Sequence, residues 1–194
     1  MPKNKRYILN TIDSLISSVD NFDCGNFQLN AFLKDHQKEA ERDGKLRTFC
    51  MTTENGDLVG YFSLAMGQAE IEIKTDEGTV KEIKPFVNLA YFAIDRRYHH
   101  HHLGRLLLGE FLKICAVLRY FTGVQLIQLE SVDDAVGFYQ TMGFQLQNED
   151  VTPEKLQAYG NDTSKMSFPM YLTIETAMNK GYLPDYDIFG PRLI

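Results

Sequence analysis

Val87-Asn88-Leu89-Ala90-Tyr91-Phe92-Ala93-Ile94-Asp95-Arg96-Arg97-Tyr98-His99-His100-His101-His102-Leu103-Gly104-Arg105 decides how this chain is read. Residues 86–94 are apolar with little alternation, the pattern of a strand covered on both faces. From Leu103 the pattern changes. Leu103, Leu106, Leu107, Phe111, Ile114 and Leu118 recur on one helical face. A strand, a tight turn and a helix start form a cradle for an anion, because the first turn of a helix presents N–H groups without intrahelical partners. Four histidines, His99, His100, His101 and His102, fill the turn where glycine is expected.

Working outward, residues 124–129 read as a strand and 133–142 as a short helix, with Asp133 as cap and Gly143 as stop. Residues 144–146 open another strand. Thr152-Pro153-Glu154 has the form of a helix start, and residues 166–174 that of a late strand. From about residue 177 an extended tail is expected. On the N-terminal side Asn26 is placed to cap a helix carrying Leu29, Phe32, Leu33 and Ala40, ended by Gly44. Residues 48–53 and 58–65 flank Glu54-Asn55-Gly56-Asp57, a hairpin signal. The charged stretch 70–84 reads as a loop or a weak edge strand. This order predicts one α/β (α+β) domain over residues 1–194, with helices on both faces of a mixed central sheet.

Composition narrows the function. The chain has 194 residues, 44% of them hydrophobic and 24% charged, ordinary values for a globular protein. No stretch approaches a membrane span and no apolar segment follows Met1-Pro2-Lys3, so a cytoplasmic location is expected. Cys24, Cys50 and Cys115 are too few and too far apart for a disulfide framework or a zinc knuckle. They are expected to be inert thiols. Twenty basic against 26 acidic side chains give a net charge of −6, so general attraction to nucleic acid is excluded. The most basic stretch holds Lys34, Lys38, Arg42, Lys45 and Arg47 against Asp35, Glu39, Glu41 and Asp43, and reads as a solvated helix face.

Two motifs resemble the GNAT superfamily of acetyl-CoA-dependent N-acetyltransferases. One is the strand-to-helix segment 89–108, similar to the family's Val/Ile-Asp followed by Gln/Arg-x-x-Gly-x-Gly/Ala. The other is Ala135-Val136-Gly137-Phe138-Tyr139-Gln140-Thr141-Met142-Gly143-Phe144, similar to its Ala-x-x-x-Tyr-x-x-x-Gly-Phe. Phe22-Asp23-Cys24-Gly25-Asn26 with Leu29-Asn30-Ala31-Phe32-Leu33 resembles the opening of the toxin-like branch, whose members often acetylate aminoacyl-tRNA and pair with an antitoxin. His99 stands where the family prefers Gln or Arg, and His102 replaces the first glycine. Gly104 is kept.

The resemblance implies acetyl transfer from acetyl-CoA to a primary amine by direct attack. It leaves the acceptor open among a small amine, a peptide and aminoacyl-tRNA. An antitoxin and a second copy of the chain are further candidate partners. Pantetheine would lie along Phe92, Ala93 and Ile94, with an oxyanion donor among the N–H groups near Tyr91 or Phe92. Pyrophosphate would meet His99–His102, Leu103, Gly104 and Arg105, with Arg96 and Arg97 as further phosphate candidates. Tyr139 would be the general acid, since a phenol near pKa ~10 is protonated at neutral pH and can supply a thiolate whose acid is near ~8.5. Glu130 at a strand end could accept the amine proton. Three readings of the histidines stay open: a phosphate loop whose grip weakens as rising pH discharges them, a metal site, or a solvated turn. A second class also stands, a non-catalytic module of this fold that binds CoA or a protein.

Overall fold

The computed structural model describes residues 6–12, 19–75, 78–179 and 181, with the side chains of 71–75 excepted. Seven strands hydrogen-bond in the order β1-β2-β3-β4-β5-β7-β6. The chain divides into two compact units. Met1–Ala65 with Leu89–Phe111 form the first, and Met66–Asn88 with Leu112–Ile194 the second. The strands β3 (Leu58–Thr75) and β4 (Gly78–Ile94) and the helix α3 (Leu103–Thr122) contribute to both. Among the described residues no helix is long and apolar enough to cross a membrane.

In the first unit β1 (Tyr7–Thr11) pairs antiparallel with β2 (Arg47–Thr53), and β2 with β3. The Asn55-Gly56 turn forms as expected: Gly56 has φ +85°, and its N–H donates to the Thr53 carbonyl at 3.0 Å. Asn26 caps α1 (Phe27–Ala31), its side-chain oxygen accepting from Gln28 N at 2.9 Å and Leu29 N at 3.2 Å. The helix then widens through a π-helical turn, Phe32–His36, closed by the Gln37 N–H on the Phe32 carbonyl. It resumes as α2 (Gln37–Arg42) and stops at Gly44, φ +70°. Neighbours on a strand face opposite ways, and Tyr61 and Phe62 show it. Tyr61 packs on Phe22 and Phe32, and its hydroxyl donates to the Leu29 carbonyl at 2.8 Å. Phe62 packs on Phe111 of α3. Helices therefore cover both faces here.

In the second unit β5 (Leu126–Ser131) and the two-residue β6 (Gln145–Leu146) both pair antiparallel with β7 (Phe168–Thr173). Gln125 N donates to the Pro85 carbonyl of β4. A 3-10 turn, Asp133–Ala135, leads into α4 (Val136–Thr141), which ends at Gly143, φ +95°. Asp133 does not cap this turn. Val132 does so by backbone alone, and Asp133 accepts from Thr163 at 2.7 Å. Helix α5 (Pro153–Ala158) begins at the Thr152 cap, as its sequence suggests.

Of the two readings of the charged stretch 70–84, strand holds over the described residues, which belong to β3 and β4. Residues 78–83 are exposed, so they carry no apolar face to betray a strand, and ion pairs such as Lys81–Glu70 line it instead. A Cβ at Gly67 would collide with the Phe86 ring, so the two strands close tightly there. The start of the tail is helical, as α6 (Ile174–Asn179), because the Thr173 hydroxyl accepts from Thr176 N at 3.0 Å. Residues 182–194, the rest of that tail, lie outside the described residues. Strand β1 was not expected, since only Tyr7, Ile8 and Leu9 mark it.

Candidate active site

Strand β4 ends at Ile94, and Asp95 turns the chain. The Asp95 carboxylate is buried, 1% exposed. It accepts from Arg97 N and Arg97 Nε, both at 2.9 Å, from the Arg97 terminal nitrogen at 3.0 Å, and from Asp23 N at 3.2 Å. Burial pushes this carboxyl upward, but the hydrogen bonds from Arg97 and the Asp23 backbone outweigh it, so it sits below the ordinary carboxylate range. Arg97, expected to reach phosphate, is thus held two-handed by Asp95.

The Asp23-Cys24-Gly25 loop locks onto the same turn. Arg96 N donates to the Asp23 carbonyl at 2.8 Å, and the Arg96 guanidinium lies over Gly25, whose φ is +91°. A Cβ there would stand 2.7 Å from Arg96 Nε. Asp23 also accepts from Gly25 N at 2.9 Å and from the Asn30 amide at 2.8 Å. These bonds hold its carboxyl below the usual range, the Gly25 N–H first among them.

Past the 3-10 turn Arg96–Tyr98, the backbone of His100 (φ +63°) and His102 (φ +57°) is left-handed. Glycine is the default for such positions, and histidine enters them at a modest cost. The turn around them, with His99 extended, delivers the chain directly to a helix start, where backbone N–H groups can meet an anion. The His99 ring bonds back to the strand end, Nε2–H donating to the Ile94 carbonyl at 2.8 Å. Helix α3 follows at Leu103, and its first turn presents backbone N–H groups suited to an anion. Among the described residues no three His, Cys, Asp or Glu converge to hold a metal ion.

The second unit holds Tyr139 and Glu130. Tyr139 on α4 is 7% exposed, with Phe138 and Phe144 edge-on at centroid distances of 5.1 and 5.7 Å. Burial pushes its phenol well above the ordinary range. Glu130 lies exposed near the end of β5, opposite Pro169. Burial likewise pushes the Cys50 thiol up to about 12, so that sulfur is inert at neutral pH.

Returning to the first unit, a cavity of about 560 Å³ opens between the α1–α2 helix and β4. Its wall is aromatic: Phe32 stacks on Tyr91 with ring centroids 3.5 Å apart and planes 8° apart. Phe27 stands at its mouth, 84% exposed.

Residues 17–144 match the acetyltransferase (GNAT) family model. The chain belongs to this family. No curated protein sequence matches it. The acetyltransferase has the fold of solved structures at low identity. A bacterial toxin superposes with a TM-score of 0.74 at 18% identity, over 91% of this chain and 94% of that one. AtaT complexed with acetyl-methionyl-tRNAfMet gives 0.70 at 20%, over 91% and 99%. A mutant AtaT toxin bound to the C-terminus of the antitoxin AtaR and acetyl-CoA gives 0.64 at 19%, over 91% and 98%.

In this acetyltransferase the expected residues Phe92 to Arg105 form one continuous strand end, histidine turn and helix start. Sequence reasoning missed Asp95 as the organiser of that turn. A carboxylate straight after an apolar run, with arginine two residues on, is the signal that could have found it. The cavity had no such signal, because Phe27 and Tyr91 are far apart in the chain.

Proposed function

We propose that this acetyltransferase moves the acetyl group of acetyl-CoA to the α-amine of an aminoacyl-tRNA, acting in the cytoplasm, and that an antitoxin protein restrains it. The helix start at Leu103, reached through the left-handed turn at His100 and His102, carries the reading, since it offers an anion site at the end of the strand that would hold the thioester. AtaT with acetyl-methionyl-tRNAfMet, and with AtaR and acetyl-CoA, supports the acceptor and the partner.

This helix start fits a pyrophosphate, because its N–H groups come from backbone and are present whatever the side chains. Acetyl-CoA, when bound, supplies a thioester carbonyl open to attack by an amine. His99, His100, His101 and His102 with Leu103, Gly104 and Arg105 hold the pyrophosphate. Phe92, Ala93 and Ile94 lie along the pantetheine arm. A backbone N–H at Tyr91 or Phe92 faces the carbonyl oxygen as it gains charge.

Glu130, directly or through water, takes the proton that the attacking amine gives up. An α-amine near pKa ~8 is partly neutral at pH 7, so this demand is small. Tyr139 gives its phenolic proton to the sulfur as the carbon–sulfur bond breaks. Its raised phenol is matched to that task only if the sulfur is desolvated too. Burial raises a thiol as it raises a phenol, so a thiolate brought against Tyr139 becomes a stronger base than in water.

Kinetics of Tyr139→Phe test the reading. CoA release and tRNA acetylation should fall about 10²- to 10⁴-fold, with acetyl-CoA affinity unchanged in calorimetry. Equal rates would remove Tyr139 from the chemistry. Acetyl-CoA binding without CoA release, across aminoacyl-tRNAs and amines, would instead mark a non-catalytic binding module.

A further inference from the structure

The cavity beside β4 is of ligand size, since small-molecule sites span roughly 300–1,000 Å³. Its position is informative. Tyr91 supplies an aromatic wall through its side chain, and its backbone belongs to the strand segment proposed to face the reacting carbonyl. A molecule seated against the Tyr91 ring would present its neighbouring atoms to that segment.

The lining chemistry says which molecule. Phe27 and Tyr91 provide aromatic rings, with Phe32 stacked behind Tyr91, while Ala31, Ala40 and Leu46 leave room between them and Gln28 and His36 add polar edges. The charges at the rim are engaged with neighbours. Lys45 Nζ lies 3.0 Å from Asp43 Oδ2, and Glu39 Oε1 lies 3.5 Å from Arg42. A charged side chain entering the cavity would lose its hydration and meet aromatic rings instead.

We propose that this cavity receives the side chain of the acceptor amino acid and selects an uncharged, bulky apolar or aromatic one. The proposal rests on the acceptor being an α-amine, as argued above, and adds the identity of the group beside that amine. A hydrophobic pocket distinguishes side chains by about 10- to 200-fold for each methylene it buries.

Two readouts on the full chain separate this inference from the reaction assigned above. In the first, α-amino-acid amides (phenylalaninamide, leucinamide, glycinamide, aspartic acid α-amide and lysinamide) are titrated in the presence of CoA and followed by NMR. Phenylalaninamide and leucinamide should bind at least ~10-fold more tightly than the others, with shifts at Phe32 and Tyr91. Ala31→Phe, which fills the cavity, should abolish that difference. Phe27→Ser, at an exposed position, should weaken phenylalaninamide several-fold without threatening the fold. Equal binding of all five amides, or binding unmoved by either variant, overturns the proposal.

The second readout is acetylation of tRNAs carrying the same five amino acids. A ranking that follows the amide affinities supports the proposal, and a preference for aspartyl- or lysyl-tRNA overturns it. Selective amide binding with no tRNA acetylated would support the cavity's preference and overturn the aminoacyl-tRNA reading instead.

Discussion

His102 stands with φ +57° where glycine would carry no penalty. A β-branched residue there should be costly, because its Cβ branches crowd the backbone in the left-handed region. His102→Val should destabilise the protein by about 1–2 kcal/mol in urea titration. His102→Gly should be close to neutral, since relief of strain is offset by greater freedom of the unfolded chain. Asp95 makes a different kind of contribution. Its folded value lies below the ordinary carboxylate range, so its charge stabilises the fold at every pH above about 3.9. That stability is lost as pH falls through the lower folded value. Asp95→Asn should therefore be less stable than wild type at pH 7, with a flatter decline on the acid side, as followed by circular dichroism against pH. The position of the histidine loop was legible, because a strand pattern runs straight into a helix pattern around it. The pairing of Arg97 with Asp95 was not, since an exposed arginine and a phosphate-binding arginine look alike until the carboxylate beside them is known to be buried.

Elements here owe their ends to single residues. Asn26 and Gly44 bracket the α1–α2 helix, and both roles could be read from residue type and spacing. What spacing could not show is that the Asp23-Cys24-Gly25 loop also clamps Arg96, because that contact joins residues 71 positions apart. Two glycines separate the effects. Gly44 has φ +70° with open space where a Cβ would go, so Gly44→Ala should cost about 1 kcal/mol. Gly25→Ala adds a collision with Arg96 and should cost about 1–3 kcal/mol, measured by the same unfolding titration. The β3–β4 strands were half legible. Residues 58–65 and 86–94 are apolar and were found, whereas the ladder between them depends on backbone pairing that exposed, charged side chains conceal.

Across the whole molecule, a net charge of −6 meets a proposed polyanionic acceptor. The basic stretch from Lys34 to Arg47 is largely self-neutralised: Arg42 pairs with Glu39 and Asp43, Lys45 with Asp43, and Arg47 with Glu41. With five basic against four acidic side chains, this stretch offers little net positive charge to displace counterions from tRNA. The plot of log affinity for aminoacyl-tRNA against log salt should therefore be shallow, with a slope no steeper than about −2, as expected when two or three phosphates are neutralised. Filter binding between about 50 and 200 mM salt, roughly the range over which basic nucleic-acid binders lose orders of magnitude in affinity, checks the slope. Affinity would then reside in the α3 helix start and the aromatic cavity. The π-helical turn Phe32–His36 has a consequence of its own. It accommodates one residue more than a regular helix of the same rise, so a relative lacking it is offset by one position from Gln37 onward. Residue-for-residue comparison across that point would then assign Glu39, Ala40 and Glu41 to the wrong faces. Inheritance of acceptor choice has to be traced through the turn and not past it.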